Sequence, residues 1–311
     1  MTRPHTTSTR LRGSQIRAPR VSAEVVAELA YRLTARDREV LTLVWEHRVL
    51  TTGQLTRLFF PTPERARQRL NHLHRHHALL RFRPWTPVGS KPWHWVLGPV
   101  GAHVLAVEHG QNITEFGYRQ DTATAIAVSP RLAHQIGVNE FFVSLHVCAR
   151  RQAGAVEQWW SEQRCAALWG DLARPDAFGR WTQTRADGAS STLDFFLEHD
   201  TGTETLARVV AKLSGYADLA EATGTTTPVL FWLPSPKREA NFRRLLGTPE
   251  VPVATAVHTP TTSVDGPAGP VWQPAGGATG PRYRLVDLAN LWTIVTRRDQ
   301  PRANNDDPAG Y

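Results

Sequence analysis

The 311 residues carry 36 Lys+Arg against 28 Asp+Glu, a formal charge of +8, and 41% are hydrophobic. That is enough chain and apolar content for two ordinary domains, each with its own core. The two cysteines, Cys148 and Cys165, argue against a disulfide framework or a cysteine-based zinc site, and no apolar run approaches the length of a membrane span. With no hydrophobic signal segment after the basic start, a reducing cytoplasm is the expected setting.

The charge is unevenly placed. Residues 1–100 hold 17 Lys+Arg against 6 Asp+Glu, whereas the remainder holds 19 against 22. A basic first third joined to a near-neutral remainder points to a nucleic-acid-facing module followed by a second domain.

Residues 1–30 read as a basic arm without apolar periodicity. A helix is expected over 34–48, capped by Thr34, with Asp37 in its first turn and Val40, Leu41, Val44 and Trp45 inward. Thr51-Thr52-Gly53 introduces a short helix over 54–59, and Pro61-Thr62-Pro63 breaks the chain before a third helix over 64–76. Short strands over 79–85 and 93–97 flank Pro87-Val88-Gly89-Ser90. Three helices and a hairpin in this order are the pattern of a winged helix-turn-helix over 31–108. Duplex DNA is the expected partner. Arg65, Arg67, Arg69, His72 and Arg75 on the third helix would face a major groove, and Arg81, Arg83 and Lys91 on the wing would face phosphates. The run from His72 to His77 lacks nearby carboxylates or thiolates and is not read as a metal site. A short helix over 98–108 closes this region, and 109–130 reads as a linker.

Residues 131–296 read as an α/β domain with the order α-β-β-β-α-β, then α-β. It starts with an amphipathic helix over 131–152 that contains Glu140. Strands follow at 156–162, 174–182 and 193–199, with a hairpin turn at Asp187-Gly188-Ala189-Ser190. A helix over 204–221, a buried strand over 228–233, a helix over 237–246 and a strand over 251–257 complete it. Residues 259–281 read as a long loop, and 297–311 as a frayed tail.

The chemistry concentrates between Arg174 and Tyr216. Asp176 ends an extended segment, and Glu198 and Asp200 are two apart at a strand end and so project together. Lys212 and Tyr216 are four apart on the following helix. Lysine is rare here, with only Lys91, Lys212 and Lys237 among the cations, which marks Lys212 as a compact ammonium kept for a purpose. Hard oxygen ligands at Asp176, Glu198 and Asp200 beside Lys212 suit Mg²⁺ or Mn²⁺ and phosphodiester chemistry. Tyr216 could serve as a nucleophile, but no histidine triad accompanies it, and packing is the simpler role.

The element order, with Asp176 and Glu198 on successive strands, resembles the PD-(D/E)xK nuclease-like superfamily. The motifs Leu33-Thr34-Ala35-Arg36-Asp37, Arg67-Gln68-Arg69-Leu70, His134 to Phe141, Arg174-Pro175-Asp176, Phe196-Leu197-Glu198, and Lys212 with Tyr216 resemble the replication-relaxation family of plasmids and integrated elements. The superfamily resemblance implies an Asp and a Glu holding a divalent metal while a Lys positions the attacking water. Asp200 stands where that pattern has Lys, so Lys212 would act from the neighbouring helix, and Glu140 would be the first-helix acid. The family resemblance implies a role in replication or DNA relaxation of a mobile element, associated with nucleoid or plasmid. Other replication or mobilisation proteins, or a second copy of the chain, would be partners. Two readings stay open: a metal-dependent nickase or nuclease, and a non-catalytic DNA-binding accessory factor with a degenerate nuclease-like domain.

Overall fold

The computed structural model describes residues 21–184, 188–258, 265–276 and 280–298. Most of the expected arm, the centre of the hairpin turn at Asp187 and nearly all of the tail lie outside the described residues. The chain is of mixed α/β class and divides into two compact units, residues 1–147 and 148–311. Among the described residues no helix is long and apolar enough to cross a membrane.

The first unit opens with α1 (Ala23–Arg32), within the stretch expected to be an irregular arm. Ser22 caps it, and Leu29 and Leu33 are buried. α2 (Ala35–Glu46) starts at a capping box in which the Thr34 amide donates to Asp37 Oδ2 at 2.8 Å. The two-residue strand β1 (Leu50–Thr51) leads into α3 (Thr52–Phe59), which has a second capping box between Thr51 and Gln54. α4 (Pro63–Arg75) has Thr62 at its N-cap and Pro63 in its first turn. Its apolar residues Ala66, Leu70 and Leu73 are fully buried, each leucine stabilising the seat of the helix by roughly 1.5–3 kcal/mol. His77 then takes a left-handed φ of 53°, turning the chain into β2 (Leu79–Phe82). β2 pairs antiparallel with β3 (His94–Leu97), and β1 pairs with the other edge of β3, giving the order β1-β3-β2.

α5 (Pro99–Glu108) is buried along most of its length, as a helix apolar on most of its circumference must be. The expected linker contains α6 (Gln120–Ala125) and a 3₁₀ turn that buries Ile126, so it is partly regular. α7 (Leu132–Ala149) was expected to open the second domain, but up to Val147 it belongs to the first unit. Polar contacts that no periodicity reveals hold it there. Buried Asn139 donates to the Val49 carbonyl at 2.6 Å, and Gln54 donates to the Ile136 carbonyl at 3.1 Å. Glu140 pairs with Arg57 at 2.5 Å, so it is not an acid of the second unit.

The second unit is built on a six-stranded mixed sheet in sequential order. β4 (Gly154–Ser161), β5 (Ala177–Thr184) and β6 (Ser190–His199) form an antiparallel meander. α8 (Glu162–Trp169), capped by Ser161, fills a stretch between the first two expected strands to which no element is assigned from the sequence. α9 (Leu206–Thr223) crosses to β7 (Val229–Leu233), parallel to β6, and α10 (Pro236–Leu246) crosses to β8 (Val253–Val257). The short β9 (Gln273–Pro274) closes the edge, and α11 is Leu285–Arg298. β7 and β8 are buried along their whole length, and the unbroken apolar sequence of β7 reflects this. Phe196, Val209, Leu213, Tyr216, Phe231 and Phe242 form the core between the sheet and α9 and α10.

Candidate functional site

In the second unit the register of β5 on β6 sets the site. Ala177 lies opposite Leu197, so the residue before β5, Asp176, comes level with Glu198. Asp176 is thus a pre-strand residue and not part of β5 as expected. The His199 amide donates to its Oδ2 at 2.8 Å. The loop carrying it lies against α9 at Gly215, where a Cβ would run into the Leu172 carbonyl oxygen. That close approach needs glycine inside a helix, and it brings Lys212 and Tyr216 to the same carboxylates.

Glu198 is 3% exposed. Lys212 Nζ donates to its Oε2 and the Tyr216 hydroxyl to its Oε1, each at 2.5 Å. Burial and the neighbouring Asp176 push the Glu198 carboxyl up to about 7, while Lys212 and Tyr216 pull the other way. Burial depresses the Lys212 ammonium, but Glu198 and Asp176 outweigh it, so its pKa is raised. Burial, then Glu198, holds the Tyr216 hydroxyl well above its ordinary range.

Asp200 does not join this group. Its carboxylate pairs with Arg238 at the start of α10 and accepts the Gly202 amide at 2.7 Å. Among the described residues no three His, Cys, Asp or Glu side chains gather as a metal-binding group, so the expected three-carboxylate site reduces to Asp176 and Glu198 beside Lys212. Two hard carboxylates in mutual repulsion, with one ammonium to offset them, still have donor chemistry that fits Mg²⁺ or Mn²⁺, because a hydrogen-bonded carboxylate oxygen keeps a second lone pair.

In the first unit the outward side of α4 is the second candidate region. With Ala66, Leu70 and Leu73 inward, the 100° helical step turns Glu64, Gln68, Asn71 and Arg75 directly outward. Gln68 and Asn71 were not among the expected DNA-facing residues, although the same periodicity places them there. Arg65 and Arg75 are exposed, and Arg67 forms an exposed pair with Glu64 at 2.9 Å. Arg69 is mainly committed inward, through its ion pair with fully buried Asp37, whose carboxyl is held below its ordinary range by Arg69 and Thr34 against the opposing effect of burial. His72 packs at a tilt against His76 with ring centroids 4.6 Å apart, and burial, then Arg69, lowers its pKa. A groove of about 470 Å³ beside α4 is lined by Arg36, Pro61, Arg65, Gln68, Arg69 and His72.

On the hairpin, Arg81 and Arg83 are not free cations. Their guanidinium carbons lie 4.2 and 4.1 Å from the Trp93 ring centroid. Lys91 at the tip is exposed.

No curated protein and no solved structure matches the chain. The sequence model of the replication-relaxation family does match it, over residues 41–230, a span that includes α4, the hairpin, Asp176, Glu198, Lys212 and Tyr216. With more than half of its length matched in this way, the chain belongs to the replication-relaxation family.

Proposed function

We propose that the protein binds duplex DNA through its first unit and nicks it through its second, in the replication or relaxation of a plasmid or integrated element. The observation that carries this reading is the meeting of Asp176, Glu198 and Lys212, from a loop, a strand and a helix, at one end of the sheet. It resembles the acid-acid-lysine set of the PD-(D/E)xK nuclease-like proteins, with the lysine supplied by α9.

DNA binding is supported by the order α2, β1, α3, α4, β2, β3 and the sheet order β1-β3-β2, which suit a winged helix-turn-helix with α4 as its reading helix. Arg65, Arg75 and Lys91 would contact phosphates, with Arg67 exchanging Glu64 for one.

Asp176 and Glu198 would hold a divalent cation, which when bound supplies a Lewis acid and a water of lowered pKa. Lys212, about one-third exposed, is placed to transfer its hydrogen bond from Glu198 to a phosphate oxygen as charge builds there. Tyr216 orients Glu198. Its buried hydroxyl, with its raised pKa, is poorly suited to attack phosphorus, which disfavours a covalent tyrosine mechanism.

A second reading, a non-catalytic accessory factor, is favoured by one observation: both Glu198 oxygens already have protein partners. One experiment separates the two. Supercoiled plasmid incubated with the protein and Mg²⁺ or Mn²⁺ is expected to become open circular, and Asp176→Asn to abolish nicking while retaining gel-shift affinity. Unchanged supercoiling at large protein excess would select the accessory reading.

A further inference from the structure

Arg81 on β2 donates Nη1 to Asn71 Oδ1 on α4 at 2.6 Å. The guanidinium is fixed from behind. It lies 4.2 Å from the Trp93 ring centroid and 5.7 Å from that of Trp95, and Arg83 packs on Trp93 at 4.1 Å. The strand register dictates this stack, because Arg81 lies directly opposite Trp95 on β3. Asn71 therefore holds its carbonyl oxygen toward the hairpin. Its Nδ2 has no partner among the described residues and is left for an incoming group. Gln68 and Arg75, three and four residues away, are exposed on the same outward stripe.

An asparagine with both amide groups available pairs with adenine, accepting from N6 and donating to N7. Guanine instead presents two acceptors, N7 and O6, in the major groove. An asparagine whose oxygen is held toward the hairpin by Arg81 turns its amide donors, and not that oxygen, to the groove. We propose that Asn71 reads a guanine in the bound DNA site, and that Arg81 is the positioning residue that turns it from an adenine reader into a guanine reader. This rests on the DNA-binding reading above and deepens it by naming the base edge recognised. It also gives Arg81 a different role from the phosphate contact that its place on the wing suggests.

The test is selection of preferred sites from a randomised duplex pool by the full-length protein. Fluorescence anisotropy at fixed salt would then follow on the selected site and its single-base variants. Wild-type protein is expected to prefer guanine at one position by about tenfold. Asn71→Ala should erase that preference at that position alone. Asn71→Asp, of similar volume but without N–H donors, should move it toward cytosine. Arg81→Lys keeps a donor for Oδ1 and should retain guanine, whereas Arg81→Met frees the oxygen and should shift the preference to adenine. A merely structural Arg81 would weaken all sequences equally, and that result overturns the proposal. So does an unchanged base preference in both Asn71 variants. Failure of the wild-type protein to bind any duplex would overturn the DNA-binding reading itself, and this inference with it.

Discussion

The two candidate regions treat charge in opposite ways. On α4 the ion pair between Arg67 and Glu64 leaves both side chains 64% exposed, whereas in the second unit the Glu198 side chain is 4% exposed and its Lys212 partner 35%. An exposed pair is worth about 0–1 kcal/mol and exchanges readily for a phosphate. A buried carboxylate gives up a partner only where another positive charge, such as a bound cation, takes its place, because otherwise an unpaired charge is uncovered. The first region should therefore answer to salt and hardly to pH, and the second to pH and divalent metal. Each prediction tests one side of that contrast.

The largest effect is expected where the second site depends on backbone contact. Gly215→Val should force the loop bearing Asp176 away from α9, since even a Cβ meets the Leu172 carbonyl. Overpacking of this kind costs about 3 kcal/mol, which in a unit of this size lowers its melting transition by about 8 °C. Calorimetry should show the loss confined to one of two transitions, with DNA affinity kept and nicking gone. Equal loss in both transitions would break the assignment of independent units.

A smaller effect separates the regions by pH. Burial and Asp176 raise the Glu198 carboxyl from its ordinary 4.5 to about 7 in the folded state. A raised acid binds its proton more tightly when folded. Its contribution is therefore complete below pH 4.5 and is lost as pH rises toward about 7. In metal-free buffer the second unit should lose stability over that window. Glu198→Gln should flatten the curve. Adding Mg²⁺ at pH 8 should raise the wild-type melting temperature through ligand linkage, and Asp176→Asn should abolish that rise. A pH-independent wild type would remove the like-charge pair from the account.

The contrast also explains what was legible in the sequence. Local signals were read well: the caps at Thr34 and Thr51, the proline break before α4, and the apolar run of β7. The period-four spacing of Lys212 and Tyr216 places both on one face of α9, where they meet Glu198. The period-two pairing of Glu198 with Asp200 does not carry over to the site, and Asp176 reaches it from a loop. Long-range polar pairing left no local trace. Asp200 shares the spacing of Glu198, yet Arg238, 38 residues on, holds it, and α7 is anchored by Asn139 and Gln54. α1 was hidden because basic arm composition continues up to Ser22, and α8 because Trp159-Trp160 extends strand-like character up to its cap. Gly215 carries no local signal, because only its tertiary neighbour shows why it is needed.

The smallest effect on stability, and the most direct reading of the open face, comes from Arg75. It lies one turn beyond Asn71 on the outward stripe and is exposed, so Arg75→Ala should change stability by no more than about 0.5 kcal/mol. A phosphate-contacting arginine releases about one counterion on binding. The slope of log K against log[salt] should then fall by about 0.9 for the variant, with affinity reduced alike for every duplex sequence. Arg69→Ala tests the other limb. It leaves Asp37 buried without its cation and should destabilise the first unit. If Arg69→Ala lowered the salt slope while Arg75→Ala left it unchanged, the outward stripe would have been drawn on the wrong side of α4.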